Sequence, residues 1–128
     1  MRKIMFALIC LFLVASILVA CAPAAPTVYT DDKTPITAGA GEQFTIELKS
    51  NPTTGFSWQA DYDKTILTQT AKDYVADATK AGVVGAGGVD KFSFAGVKAG
   101  TTKITFTYKR TWESVPPAET KTFNITIR

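Results

Sequence analysis

After residue 26, apolar and polar residues alternate in short runs that are separated by Gly, Pro and charged turn residues. An apolar residue at every second position predicts β-strands with one buried face, and this region shows no sustained helical period. Seven strands in about a hundred residues favour an all-β fold, an immunoglobulin-like antiparallel β-sandwich. The predicted strands cover residues 27–30, 43–49, 56–62, 66–73, 91–97, 102–109 and 122–128.

The order of the strands predicts which loops lie together. Strands that alternate in direction bring every second connection to the same end of a sandwich. Here those connections comprise residues 50–55, 74–90 and 110–120. The other end receives short links, such as 63–65 and 98–101. Because binding residues gather on loops that a rigid scaffold positions, we expect a binding surface where the three longer loops meet. Trp58, on the third strand, is expected in the core.

The first twenty residues have the layout of an export signal, in which basic Arg2 and Lys3 precede an apolar run. Residues 18–21 then resemble the lipobox of prokaryotic lipoproteins, where cleavage precedes a lipid-modified cysteine. The resemblance implies an exported protein of the cell envelope that is anchored to the membrane by lipid on Cys21. Cleavage by an ordinary signal peptidase is the alternative. The predicted division is a signal peptide at 1–20, a lipidated Cys and tether at 21–33, and a folded domain at 34–128.

Charge and composition exclude several functions. Loss of Arg2 and Lys3 with the signal leaves 12 of the 14 basic residues against 11 acidic ones, so no nucleic-acid partner is expected. The chain has no histidine, and it has no cysteine after Cys21, which excludes Ser-His-Asp and Cys-His catalysis and most zinc sites. We therefore expect no metal, no cofactor and no enzymatic activity. A hydrolase that uses paired carboxylates, such as Asp61 and Asp63, is the remaining catalytic hypothesis.

The loop between the second and third predicted strands has an unusual composition. Asn51 can hydrogen-bond the backbone of its own turn, Pro52 fixes one φ angle, and Gly55 permits a positive φ. The β-branched residues Thr53 and Thr54 are stiff at χ1. This composition predicts a narrow, uncharged loop that is ordered before it binds a partner, although a well-made turn without any binding role would look the same.

Two further loops at the same end carry residues that suit binding. Gly85, Gly87 and Gly88 lack side chains, so a partner could approach their backbone closely, unless the segment is only a flexible linker. Trp112 lies beyond the alternating part of its strand, and a tryptophan on an exposed loop is a typical hot-spot residue. Arg110, close by, could pair with an acidic group of a partner.

In this order and on these loops, the three motifs resemble the chagasin family of proteinaceous inhibitors of papain-like cysteine peptidases. The resemblance covers about residues 34–128. It implies reversible, tight and competitive inhibition by a monomer whose partner is a papain-like peptidase. The peptidase-binding residues that it implies are Asn51, Pro52, Thr53, Thr54, Gly55, Phe56, Gly85, Gly87, Gly88, Arg110 and Trp112.

The resemblance also implies a role for each loop. Thr53 and Thr54 would block the catalytic cysteine without a covalent bond, the glycine-rich loop would lie on one side of the cleft, and Trp112 on the other, with Arg110 assisting. The family pattern has Pro where this chain has Thr111, and the loss of that restraint is expected to weaken binding modestly. A non-inhibitory surface lipoprotein that binds a glycan or an envelope protein through the same loops is the alternative.

Overall fold

The computed structural model describes residues 24–78 and 85–128; the predicted signal peptide and Cys21 lie outside these ranges. The described residues form eight β-strands and one short 3-10 helix, Pro52–Thr54. No helix among them is long and apolar enough to span a bilayer. The strands are β1 (Thr27–Tyr29), β2 (Ile36–Ala38), β3 (Gln43–Ser50), β4 (Ser57–Tyr62), β5 (Leu67–Ala76), β6 (Gly88–Gly96), β7 (Gly100–Lys109) and β8 (Glu119–Ile127).

The strands form two four-stranded sheets with the core between them, which confirms the predicted all-β sandwich. The strand order is β1-β3-β6-β5 in one sheet and β2-β8-β7-β4 in the other. Most neighbours are antiparallel, as predicted. Two pairs differ from that prediction, because β1 runs parallel to β3 and β2 runs parallel to β8.

The parallel pairs trace back to β2, a strand that the sequence pattern did not predict. β2 has only three residues, Ile36–Ala38, which is too short for an alternating pattern to be recognised. It adds one reversal of direction between β1 and β3, so that β1 and β3 run the same way. The loops that follow β3 are unaffected, and their predicted grouping does not depend on β2.

Side chains from alternating positions of both sheets fill the core. Trp58 is only 1% exposed, which confirms its predicted core position, and its Nε1–H donates a hydrogen bond to the Lys49 carbonyl at 2.9 Å. Within residues 24–78 and 85–128, the buried apolar side chains of the core all lie between Ile36 and Ile127, so the described domain contains its own core. They are Ile36, Ala38, Phe44, Ile46, Leu48, Trp58, Leu67, Phe92, Phe94, Ile104, Phe106, Phe123, Ile125 and Ile127.

The two ends of the sandwich differ in the length of their loops. The end that we call the rim carries the β3–β4 and β7–β8 connections, residues 51–56 and 110–118, and the described parts of the β5–β6 connection, residues 77–78 and 85–87. The opposite end, which we call the far end, carries shorter links such as 63–66 and 97–99. Because Thr27 pairs with Phe44 near the start of β3, the chain enters β1 at the far end. The rim and residues 24–26, which precede β1, therefore lie at opposite ends of the domain.

Candidate functional site

The structure brings the three rim loops into direct contact. The Asn51 side-chain amide donates a hydrogen bond to the Gly85 carbonyl at 3.1 Å, which joins the first loop to the second. The Arg110 Nε–H donates to the Thr54 carbonyl at 3.0 Å, which joins the first loop to the third. The backbone N–H of Asn51 also donates to the Tyr108 hydroxyl at 3.0 Å. The first loop is thus tied to both of its neighbours.

Residues 51–55, which we call the wedge loop, form a capped 3-10 turn. Asn51 has an extended backbone, and its Oδ1 accepts hydrogen bonds from the Thr53 N–H at 3.3 Å and the Thr53 hydroxyl at 2.6 Å. Pro52 begins the helix, where its missing N–H leaves no bond unmade. Gly55 ends it with a φ of 79°, and its N–H donates to the Pro52 carbonyl at 3.0 Å.

The hydroxyl groups at the end of the wedge loop already donate within the loop. Besides the Thr53 bond to Asn51, the Thr54 hydroxyl donates to the Asn51 carbonyl at 2.7 Å. Both threonines are exposed. Because both hydroxyl protons are engaged within the loop, a partner would find hydrogen-bond acceptors rather than donors on these two oxygens.

Trp112 lies against the wedge loop while most of its side chain faces outward. The side chain is 69% exposed, which agrees with its prediction as a displayed residue rather than a core residue. A Cβ atom at Gly55 would lie only 2.6 Å from Cη2 of the Trp112 ring. Glycine is therefore favoured at position 55 for two separate reasons. The backbone has a positive φ there, and the indole ring occupies the space that a side chain would need.

Arg110 connects the third loop to an aromatic stack that leads into the core. Its guanidinium carbon lies 4.5 Å from the centroid of the Phe56 ring, close enough for a cation–π contact. Phe56 stacks on Tyr108 with centroids 5.3 Å apart, and Tyr108 contacts Trp58 at 4.9 Å. Arg110 also pairs with Glu113, Nη1 to Oε1, at 3.1 Å. The charge that we expected to face a partner is thus engaged within the chain.

The glycine-rich residues occupy two different environments. Gly85 is exposed beside the wedge loop, where a Cβ atom would lie 3.8 Å from Thr53 Oγ1. Gly87 is half-buried, and its carbonyl accepts a hydrogen bond from the Asp77 N–H at 3.0 Å. Gly88 is buried at the start of β6, paired with Ser50 on one side and Ala76 on the other. Gly85 and Gly87 thus lie on the loop itself, and Gly88 belongs to the sheet that supports it.

Sequence reasoning missed two residues that organise the rim, Tyr108 and Glu113. The Tyr108 ring packs against the core, and its hydroxyl reaches the base of the wedge loop. Its position as the last aromatic residue before Arg110 was the available signal, since a buried tyrosine hydroxyl needs a polar partner. Glu113 follows Arg110 at a spacing of three, a common spacing for an ion pair across a turn, but the spacing alone does not show that the pair forms.

Comparison with known proteins identifies the family. The family model described as chagasin family peptidase inhibitor I42 matches residues 37–127. Amoebiasin-1 of Entamoeba histolytica is 37% identical over 97 residues, which cover 76% of this chain and 91% of that protein. Chagasin of Trypanosoma cruzi is 30% identical over 99 residues, which cover 73% and 86%.

A solved structure agrees with this assignment. The crystal structure of the cysteine protease inhibitor EhICP2 from Entamoeba histolytica aligns with a TM-score of 0.71 and 25% identity, over 80% of this chain and 95% of that one. The family-model match spans most of the β-sandwich, and its residue range includes the sequence of all three rim loops. The chain belongs to the chagasin family of peptidase inhibitors.

Proposed function

We propose that this domain is a reversible, tight-binding competitive inhibitor of papain-like cysteine peptidases, and that its wedge loop enters the active-site cleft. The observation that carries the proposal is the order of this loop in the unbound chain. Asn51 caps the turn, Gly55 closes it, and Arg110 holds the Thr54 carbonyl. A surface that is rigid before binding loses little conformational entropy on association, so its contacts contribute more fully to affinity.

The backbone conformation of the wedge loop would make it a poor substrate for the peptidase whose active site it blocks. A peptide bond is cleaved when the segment around it extends across the active site, and residues Pro52–Thr54 form a 3-10 turn instead. Extending the turn would break the Thr54 N–H bond to the Asn51 carbonyl, 3.2 Å, and the Gly55 N–H bond to the Pro52 carbonyl, 3.0 Å. The catalytic cysteine would therefore be covered by Thr53 and Thr54 without forming a covalent bond.

The second and third rim loops would contact the two sides of the active-site cleft. Gly85 and Gly87 would lie along one side through their backbones. Trp112 would lie on the other side, where its exposed ring offers a large contact area for little loss of rotamer freedom. Arg110 and Phe56 would contribute chiefly by supporting the wedge loop from behind. Gly88 would shape the hairpin from within β6, because it is buried there.

The test is a titration of papain with the domain of residues 24–128, using a fluorogenic peptide substrate. We expect peptidase activity to fall in proportion to the added domain, to recover on dilution, and to leave the domain uncleaved. Trp112→Ala should raise the inhibition constant by roughly 30-fold, the size of a typical hot-spot residue, and Thr53→Ala should also raise it. Val97→Ala, an exposed residue at the far end, is the control and should have no effect.

The outcome that contradicts the proposal is a folded domain that fails to inhibit at micromolar concentration. A second enzyme, of the cathepsin L type, would be titrated to exclude a preference against papain alone. Failure with both would favour a non-inhibitory surface module that binds a glycan or envelope protein through the rim. A titration in which Trp112→Ala and Val97→Ala behave alike would show that inhibition does not use the rim.

We further propose that the protein is exported and held at the membrane by lipid on Cys21. The support is the apolar segment that precedes Cys21 and the entry of the chain at the far end. From the level of Phe44 to Ser50 at the rim, β3 spans about 20 Å at the usual strand rise. An anchor on the N-terminal side would therefore leave the rim facing away from the membrane, open to soluble peptidases.

Metabolic labelling with a fatty acid in an expressing bacterial host tests the anchor. The full chain should incorporate label and pellet with membranes, and Cys21→Ala should do neither. Membranes that carry the full chain should inhibit added papain as well as the soluble domain does. Labelled membranes that fail to inhibit while the soluble domain succeeds would overturn the outward orientation.

A further inference from the structure

The third rim loop makes a turn at residues 110–113. A proline would restrain the backbone of this turn most at the position of Thr111. The Glu113 N–H donates to the Arg110 carbonyl at 3.2 Å, which makes Thr111 the second residue of a four-residue turn. This is the position where a proline fixes φ in advance. Among the described residues the Thr111 N–H donates no hydrogen bond, so residue 111 itself has neither a proline ring nor a bond of its own N–H to hold its φ angle.

A side-chain contact spans the same turn in addition to the backbone bond. Glu113 Oε1 lies 3.1 Å from Arg110 Nη1, and both side chains are about one-third exposed, at 34% and 35%. The same guanidinium donates from Nε to the Thr54 carbonyl and lies over the Phe56 ring. Glu113 therefore fixes a guanidinium that in turn holds the wedge loop.

We propose that Glu113 is a positioning residue of this inhibitor. Its carboxylate replaces, by an ion pair, the restraint that a proline at position 111 would supply. It keeps Arg110 on the Thr54 carbonyl and Trp112 over Gly55 before a peptidase arrives. The effect on affinity rests on the proposed inhibitory function, whereas the effect on loop order is a property of the free domain.

The physical consequence is a loop whose order depends on charge. A partly exposed ion pair contributes little to folding, so loss of Glu113 should leave the stability of the domain nearly unchanged. It should instead enlarge the set of conformations that Trp112 adopts, and the peptidase would then have to restrict them on binding. Salt screens such a pair, so high ionic strength should loosen the same loop in the wild-type domain.

The first experiment measures loop order without any peptidase. Backbone ¹⁵N relaxation gives the order parameter of the Trp112 amide in the wild-type domain and in Glu113→Gln, which has the same shape without the charge. We expect a value near that of a rigid backbone, about 0.85, to fall toward the flexible range, below about 0.6. Glu47→Gln removes a comparable ion pair, Lys91 to Glu47 at 2.8 Å, from the face of a sheet and is the matched control.

The second experiment asks whether proline and Glu113 perform the same task. Glu113→Gln should raise the inhibition constant for papain by roughly two- to tenfold, as expected for restoring the freedom of one or two side chains. Adding Thr111→Pro to Glu113→Gln should recover most of that loss and restore the Trp112 order parameter. Thr111→Pro alone should change both quantities little, because the turn is already closed.

The two readouts separate failure of the inference from failure of the inhibitory function. An unchanged Trp112 order parameter in Glu113→Gln would overturn the inference, whatever papain does. Failure of Thr111→Pro to rescue Glu113→Gln would also overturn it, since the two restraints would then be independent. If the wild-type domain did not inhibit papain but Glu113→Gln still loosened Trp112, the positioning role would stand and the proposed function would fall.

Discussion

Two turns at opposite ends of the sandwich are built from the same local motif. In the wedge loop, Asn51 Oδ1 accepts hydrogen bonds from the N–H and the hydroxyl of Thr53, at 3.3 and 2.6 Å. At the far end, Asp63 Oδ1 accepts the same two bonds from Thr65, at 2.8 and 2.6 Å. Both are turns in which a short side chain caps the backbone two residues further on. Local geometry alone would not reveal which of the two belongs to a binding surface.

The difference lies in what the rest of the side chain does. Asn51 is an amide, so while its oxygen caps the turn its nitrogen donates to the Gly85 carbonyl on the neighbouring loop. The Asp63 carboxylate only accepts, and its turn serves chain reversal. The comparison shows that the order of the rim comes from bonds between loops, in addition to the capping motif that both ends share.

The strongest test of this comparison substitutes a glycine at each end. Gly55 and Gly41 both have a positive φ, 79° and 81°, so alanine at either position should destabilise the domain by about 1 kcal/mol. A Cβ at Gly55 would also collide with the Trp112 ring, whereas a Cβ at Gly41 meets nothing within 4 Å. Gly55→Ala should therefore raise the inhibition constant by roughly 30-fold, the value of a lost hot-spot contact.

Gly41→Ala is the matched control for backbone strain. Urea unfolding of the two variants should give similar losses of stability, while papain titration should separate them. If both variants inhibited equally well, the contact between Gly55 and Trp112 would not matter for binding. If Gly41→Ala lost inhibition as well, a general loss of folding would explain the effect at Gly55.

A smaller effect is expected from exchanging the two capping residues. Asn51→Asp keeps the cap but removes the donor to Gly85 and places a negative charge beside that carbonyl. Loss of one such hydrogen bond corresponds to roughly a five- to tenfold rise in the inhibition constant. Asp63→Asn keeps the cap at the far end, where it should leave inhibition unchanged. Equal inhibition by both variants in the papain titration would show that the bond between Asn51 and Gly85 is unimportant.

The strands after β2 could be predicted from the sequence because their apolar and polar residues alternate with a regular period. Along β3, Phe44, Ile46 and Leu48 alternate with polar neighbours, and their side chains lie in the core between the sheets, as this alternation predicts. Short or irregular elements carry too little pattern, which is why β2 was missed and with it the direction of β1. The grouping of the rim loops followed from strand alternation after β3, where no strand was missed.

The hydrogen bonds that join the rim loops to one another could not be predicted in the same way. The composition of residues 51–55 indicated a stiff turn, because Asn, Pro and Gly each act on their own backbone. The bonds from Tyr108, Arg110 and Gly85 to that turn join residues 34 to 57 positions apart. Such contacts depend on where tertiary packing brings each side chain, and no local pattern encodes it.

The smallest expected effect concerns the far end and its dependence on pH. The Thr65 hydroxyl, and then the Thr65 N–H, lower the pKa of Asp63 below its ordinary value of 3.8. Thr65→Val keeps the backbone bond but removes the hydroxyl bond, so the pKa of Asp63 should rise part of the way back, as measured by NMR titration of the carboxyl carbon.

A lowered pKa of Asp63 in the folded state stabilises the domain above about pH 4, and this contribution is lost as the pH falls through the folded value. The wild-type domain should therefore be slightly more stable than Thr65→Val at neutral pH, with the pH-dependent part of that difference disappearing in acid. Inhibition of papain should be the same for both, and a weaker Thr65→Val would mean that the far end influences the rim.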